Sequence, residues 1–317
     1  MLVSTMKADF SRLFEEEVGQ PVRRFVSLRD FSNFRIGGPA DYFFEAASVE
    51  GLKAALLVAR RHSVACYVIG GGFNLLFDDE GFHGLIVKNS VRGAGRISPG
   101  PVLTTFSGTS LDDLVKFAAE QGLAGLEFLA GIPGTVGGAV FGNAGAFGRS
   151  IGECLEEAVL MDKEGGEFRA PREYFSFSYR HSELKIKHDV LLSAQFRLEA
   201  SDKDTINVRI EENLAVRAHK HPPRETAYAG SYFKNPVRPD GAKVAAGYLL
   251  EQVGARELSV GGAAVYPGHC NFLINRGNAA ARDILALAGE LKTRVKERFG
   301  IELEEEVIFL PAEFSRP

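Results

Sequence analysis

Leu52, Ala55, Leu56 and Ala59 recur at three- and four-residue intervals behind Ser48. That spacing puts four apolar side chains on one face and predicts a helix over residues 48–62 with the serine at its N-cap. The run VACYVIG that follows has strand character and leads into GGGFN, after which LLF and GLIVK predict a second apolar stretch and a short strand. Ser110, with Asp113 three residues on, makes a capping-box-like start to a helix whose Leu111, Leu114, Val115 and Ala118 share a face, and Gly122 sits where it would stop. Residues 156–162 and 167–169 flank KEGG as the arms of a hairpin, and Val190, Leu192, Ala194, Phe196 and Leu198 alternate as in a half-buried strand. Near residue 220 a helical stretch rich in Glu, Asn and Arg gives way to HKHPPRE, whose paired prolines and mixed charge mark a domain boundary. Beyond it AKVAAGYLLEQVG and ARDILALAGELKTRVKERFG predict amphipathic helices, the second striped by Ile284, Leu287, Leu291, Val295 and Phe299, and EVIFL predicts a last strand. With no internal repeat and no low-complexity tract, the pattern predicts an α+β assembly rather than a solenoid.

Composition narrows the function classes. The chain has 317 residues, 45% hydrophobic and 25% charged, enough for two or three domains with a substantial core. Lys and Arg number 37 against 41 Asp and Glu, a net charge of −4, so bulk electrostatics favour neither nucleic acid nor an anionic membrane as a partner. No apolar run reaches eighteen residues. The opening MLVSTMKADFSRLFEEEVGQ predicts an exposed charged helix rather than a secretion signal, so a cytoplasmic location is expected. Cys66, Cys154 and Cys270 are odd in number and far apart, which predicts reduced buried thiols, with neither a disulfide framework nor a metal site.

The candidate chemistry lies in two glycine-rich loops. IGGGFNLL spans residues 69–76, and GIPGTVGGAVFGNAGAFG, residues 131–148, holds seven glycines in eighteen positions. Backbone without Cβ atoms can take positive φ and converge its N–H groups on an anion, which suits a pyrophosphate; a single such loop is more often a plain tight turn. Two loops shift the balance toward a ligand. Neither matches G-x-G-x-x-G, since Leu75 stands where the third glycine belongs, and no Lys-Ser or Lys-Thr follows to make a P-loop. What remains is a non-Rossmann dinucleotide cradle.

GGGFN, GIPGTVGGAVFGNAGAFG, SYRHS, AGSYFKNP, GHCNFLIN and LEEEV, in that order, resemble the UDP-N-acetylenolpyruvoylglucosamine reductase family over roughly residues 30–310. The short interval between Arg180 and Ser231 is similar to the compact form of that family, which lacks an inserted substrate loop. The resemblance implies an α+β chain with a two-subdomain FAD-binding fold of the vanillyl-alcohol-oxidase type plus a third, substrate-binding α+β domain. On that template the chain divides into an N-terminal extension (1–23), FAD-binding subdomains at 24–92 and 93–218, a substrate-binding domain at 219–300 and a C-terminal strand at 301–317. It implies non-covalent FAD, NADPH as hydride donor, and a nucleotide-sugar substrate in peptidoglycan precursor synthesis.

The same resemblance assigns residues. Arg180 faces the substrate carboxylate, where a planar guanidinium fork stays charged and grips two oxygens; Ser231 gives the proton to carbon; Glu306 assists at the enolate. Glu304 and Glu305 are expected to be solvated neighbours. Flavin-binding positions are Gly37, Gly38, Gly70, Gly71, Gly72, Phe73, Asn74, Gly131, Ile132, Pro133, Gly134, Thr135, Gly137, Gly138, Asn143 and Gly145, with Lys220, Lys234 and Asn235 for the nucleotide. His269 and Asn271 receive no catalytic role. Phe73 departs from the small hydroxyl residue usual in the family's first loop, and Tyr228 from a small residue. Two rival readings are a flavin oxidase acting on a hydroxyl substrate and a non-catalytic nucleotide-sugar sensor; the first commonly anchors flavin through His or Cys, which neither loop contains, and the second is disfavoured by retention of Arg180, Ser231 and Glu306.

Overall fold

A computed structural model describes residues 2–97, 100–223, 225–237 and 241–314, with side chains described from residue 10 onward. The chain forms two compact units. The first comprises Met1–Arg23, Tyr42–Gly70 and Leu85–Arg217, and the second Arg24–Asp41, Gly71–Gly84 and Ala218–Pro317.

In the first unit, parallel strands Cys66–Ile69 and Phe82–Asn89 pair from Cys66↔Leu85 to Ile69↔Lys88. Helices α1 (Leu2–Val18) and α2 (Val49–Arg61) belong to the core beside them. Ser48 caps α2 as its spacing predicts, accepting a hydrogen bond from the Gly51 N–H at 3.0 Å. The first helix is not merely an exposed one: Phe10 and Phe14, a turn apart, are buried, with the Phe10 ring 4.7 Å from Tyr42 and the Phe14 ring 5.1 Å from Phe44. Two apolar residues at i and i+4 among charges anchor a helix that its composition makes look solvated.

The other half of this unit is a five-stranded antiparallel sheet, ordered Glu167–Pro171, Leu155–Met161, Val190–Arg197, Val102–Phe106, Ala94–Ile97. The hairpin around KEGG pairs Met161 with Glu167, and Gly165 takes the positive φ its turn requires. Helix α3 (Leu111–Glu120) starts on the Ser110 hydroxyl, which accepts from the Asp113 N–H at 3.0 Å, and ends just before a left-handed Gly122. Short helices α4 (Val136–Gly142), α5 (Ile151–Cys154) and α6 (Leu184–Lys187) follow. Helix α7 (Lys203–Lys220) carries the chain to the boundary between the units at Arg217 and Ala218.

The second unit is built on the sheet Ala227–Tyr228, Leu273–Asn275, Ala263–Val265, Ser259–Val260, packed with helices α8 (Ala246–Gln252) and α9 (Ala281–Phe299). The α9 stripe Ile284, Leu287, Leu291 and Val295 is buried, while Phe299 at the end is 37% exposed. The expected helix over AKVAAGYLLEQVG is shorter than its periodicity suggests. Lys243 bridges Val237, Ala245 is extended, and the Asn235 side chain accepts from the Ala246 N–H at 3.0 Å, so the helix begins only there. The final strand Ile308–Leu310 pairs in parallel with Leu75–Phe77. Cys154 and Cys270 are buried thiols and Cys66 is half-buried, and none is in a disulfide. Among the described residues no helix is long and apolar enough to cross a membrane, and no group of three His, Cys, Asp or Glu could hold a metal ion.

Candidate active site

In the first unit the long glycine loop hangs from the turn that precedes α3. Leu111 N–H donates to Gly134 O at 3.0 Å, Val136 N–H to Thr109 O at 2.9 Å and Gly137 N–H to Ser107 O at 2.7 Å. Ile132 packs on the core and Pro133 is exposed. Thr135 caps α4, accepting from the Gly138 N–H at 3.3 Å, and a Cβ on Gly70 would stand 2.4 Å from the Thr135 hydroxyl. Gly70 therefore lets the end of its strand press against the α4 cap. Gly137 and Gly145 are closely approached by Ser107 and Arg149 backbone oxygens. Gly134 and Gly142 differ: a Cβ there would meet nothing within 4 Å, though Gly134 takes φ +150, which favours glycine by itself. Neither packing nor positive φ accounts for Gly142, and the open face beside it fits a ligand that lies against bare backbone.

Arg180 is held on the same framework. Ser178 and His181 exchange both backbone hydrogen bonds, at 3.2 and 3.1 Å, closing a tight turn with Arg180 at φ +55. A non-glycine residue in left-handed backbone is costly, and such positions cluster where function over-determines the chain. The cost here is met by tethers: Asn143 Nδ2 donates to Ser178 O at 2.8 Å, Ser182 Oγ to Phe141 O at 2.8 Å, and Lys185 Nζ to Arg180 O at 2.8 Å. Asn143 Oδ1 also accepts from the Gly152 N–H at 3.1 Å, so both ends of this buried amide are committed to the chain. Asn143→Ala would orphan the buried Gly152 N–H and put alanine in left-handed backbone, while the Ser178 carbonyl keeps its bond from the His181 N–H. A loss of about 2 kcal/mol of stability is expected, from roughly 1–3 kcal/mol for the orphaned group, and chemical denaturation checks it.

In the second unit Ser231 and Glu306 lie on adjoining backbone. Phe233 bridges Glu305, and Glu306 N–H donates to Tyr232 O at 2.8 Å. Buried Asn271 fixes the same segment from elsewhere: its Oδ1 accepts from Phe233 N–H at 2.9 Å, its Nδ2 donates to Phe233 O at 2.8 Å, and its carbonyl accepts from Tyr232 N–H at 2.8 Å. Asn271 N–H in turn donates to His269 Nδ1 at 3.1 Å. Burial, with the Lys220 charge in the same direction, holds the His269 imidazole below its ordinary value and favours the neutral ring that can accept. Burial likewise pushes the Tyr232 phenol up, so it stays protonated beside Ser231.

The first loop belongs partly to this unit. Gly72 takes φ +68, and a Cβ there would sit 1.9 Å from Phe31 O. Gly71 lies against the Phe73 ring, 2.5 Å from a Cβ, so the bulky residue is accommodated by the glycine two places before it. Asn74 Nδ2 donates to Glu306 O at 3.0 Å and Asn74 O accepts from Ile308 N–H at 3.1 Å, which ties the loop to the Glu306 segment. Gly37 and Gly38 are pressed on by Phe77, Leu28 and the Asp79–Gly81 backbone. Glu304 and Glu305 are solvent-accessible, as expected, and each also pairs with a lysine, Glu304 with Lys234 and Glu305 with Lys292 at 2.9 Å. Lys220 is exposed. Sequence reasoning missed the work of Asn271, Ser182 and Asn143 as tethers; the motifs GHCNF, SYRHS and FGNAG pointed to the places but not to the bonds.

The profile of an FAD binding domain matches residues 40–170, and that of the UDP-N-acetylenolpyruvoylglucosamine reductase C-terminal domain matches residues 222–310. The chain is 40% identical over 296 residues to the UDP-N-acetylenolpyruvoylglucosamine reductase of Geotalea uraniireducens, covering 92% of this chain and 93% of that one. It is 38% identical over 284 residues to the protein of that name from Lachnoclostridium phytofermentans, covering 88% and 90%. The crystal structure of the Thermus caldophilus UDP-N-acetylenolpyruvylglucosamine reductase superposes with a TM-score of 0.73 at 32% identity, covering 92% of this chain and 99% of that chain.

Proposed function

Because the chain belongs to the UDP-N-acetylenolpyruvoylglucosamine reductase family, we propose that Arg180, Ser231 and Glu306 are the catalytic side chains of an FAD-dependent UDP-N-acetylmuramate dehydrogenase. It reduces the enolpyruvyl ether of UDP-N-acetylglucosamine in peptidoglycan precursor synthesis. The observation that carries the residue assignment is the backbone tie between Tyr232 and Glu306, which puts the proposed proton donor and the proposed acid on neighbouring strands of chain.

FAD, when bound, supplies hydride taken from NADPH to the methylene carbon of the enolpyruvyl group. Arg180 grips the substrate carboxylate with two parallel N–H groups and stabilises the negative charge that gathers there. Glu306 assists Arg180 at the enolate and, if protonated, hydrogen-bonds its oxygen, and the Ser231 hydroxyl delivers a proton to the neighbouring carbon. A serine is a weak acid, but a carbanionic carbon is a strong enough base to draw on it. The glycine loops hold the cofactor through backbone, with the open face at Gly142 as the observation that fits it. Lys220 serves the diphosphate, while Lys234 does so by exchanging its Glu304 partner for phosphate. Asn235 keeps its capping bond to Ala246 and orients the nucleotide from that fixed position. The enzyme works in the cytoplasm, and the domain limits are those of the family template.

Purified protein is expected to be yellow, to bleach with NADPH under anaerobic conditions and to recolour on adding enolpyruvyl-UDP-N-acetylglucosamine. Bleaching without recovery would favour another oxidoreductase on the same scaffold. Colourless protein that cannot be reconstituted with FAD would favour a sensor.

A further inference from the structure

Ser178, Tyr179, Arg180 and His181 make a turn whose ends exchange both backbone hydrogen bonds, with Arg180 in the third place at φ +55. A left-handed third place usually goes to glycine or asparagine. Adjacent side chains of an extended chain point to opposite sides. Here the turn brings them together, and the Arg180 guanidinium carbon lies 5.3 Å from the Tyr179 ring centroid. Where the fork points therefore depends on how the peptide planes on either side of this pair are held. The Ser178 carbonyl, in the plane entering Tyr179, accepts from Asn143 Nδ2 at 2.8 Å and from the His181 N–H at 3.1 Å. The plane leaving Arg180 is fixed by that same His181 N–H on one edge. On its other edge the Arg180 carbonyl accepts from Lys185 Nζ at 2.8 Å. Lys185 is half-buried in α6, and its ammonium also lies 5.6 Å from the Phe141 ring centroid. An ammonium that spans a carbonyl and an aromatic face gains from both, and its charge-assisted bond is stronger than a neutral one. Phe141 belongs to α4 and takes the Ser182 hydroxyl on its carbonyl, while Asn143 is the C-cap of that helix and Thr135, in the glycine loop, its N-cap. The Arg180 turn thus hangs from the far end of the helix that starts in the glycine loop.

We infer that Lys185 is a positioning residue for Arg180: its ammonium, braced on Phe141, pins the Arg180 carbonyl and so holds the guanidinium where it grips the substrate carboxylate. This rests on the proposed role of Arg180 and extends it to a residue that acts through Arg180 alone. The test is a double-mutant cycle on flavin-loaded protein, read by kcat/KM for enolpyruvyl-UDP-N-acetylglucosamine and by the rate of NADPH bleaching. Lys185→Met keeps an unbranched stem beside Phe141 and removes the donor. With Arg180 present it is expected to lower kcat/KM by about tenfold to a hundredfold, the scale of a misplaced catalytic group. In the Arg180→Ala background the further loss should be no more than about twofold, because no fork is left to aim. Bleaching should keep its wild-type rate in both backgrounds. Lys185→Arg, which restores a cationic donor, should recover most of the loss. The same proportional loss with and without Arg180 would overturn the inference and leave Lys185 as a support of the fold or a ligand contact of its own. Wild-type kcat/KM in Lys185→Met would overturn it too, as would loss of flavin or of folding in both Lys185 variants. Arg180→Ala that recolours at the wild-type rate would strike the catalytic assignment of Arg180 and this inference with it, whereas a failed cycle beside an impaired Arg180→Ala strikes the positioning role and leaves the assigned reaction intact.

Discussion

Ser231→Ala protein is expected to bleach with NADPH at the wild-type rate and then to recolour with enolpyruvyl-UDP-N-acetylglucosamine about 10²–10⁴ times more slowly, the usual contribution of a positioned proton donor. The split follows from the chemistry. Hydride transfer into the cofactor needs no proton from Ser231, whereas charge placed on the substrate carbon must be quenched. The replacement removes one oxygen and leaves the backbone tethers untouched, because Tyr232 and Phe233 are held by Asn271 through main-chain atoms. Gly230 supplies the left-handed turn before the serine, where a Cβ would meet nothing within 4 Å. Stopped-flow absorbance under anaerobic conditions separates the two half-reactions. Equal slowing of both, or slowing of neither, would remove Ser231 from its assigned role.

Legibility in the sequence divided along physical lines. Local signals read well: Ser48 and Ser110 cap the helices their spacing announces, and the KEGG turn closes its hairpin. These features depend on residues within one turn of each other. Features that depend on residues far apart did not read. Phe10 and Phe14 look like strays on a charged helix until their partners Tyr42 and Phe44, some thirty positions away, are in place. The start of α8 is set by Asn235 from outside the helix, and periodicity carries no trace of it. At the site, the glycine loops and the catalytic motifs were legible as types of residue in order. Their supports were not: the Asn143–Ser178 bond spans 35 positions and the Asn271 bonds to Phe233 span 38. An asparagine that will bind backbone looks the same in sequence as one that will bind solvent.

Arg180→Ala is expected to lower kcat/KM for the enolpyruvyl substrate by about 10²–10³-fold, the scale for removing a preorganised group that meets developing negative charge. Bleaching by NADPH should change little. Arg180→Lys keeps the charge but loses the planar fork, and activity between the two is expected. The backbone adds a second readout that a surface arginine would not produce. Position 180 sits at φ +55 in a turn closed by Ser178 and His181, where a side chain costs roughly 1–2 kcal/mol that glycine avoids. Arg180→Gly should therefore be as inactive as Arg180→Ala yet more stable than it by about 1 kcal/mol, read by chemical denaturation of flavin-loaded protein. A side chain held where glycine would be more comfortable fits a residue kept for chemistry, a reading that the activity of the two variants decides. If alanine and glycine variants are equally stable, the turn is not strained as described; if both retain wild-type recolouring, the carboxylate is gripped elsewhere.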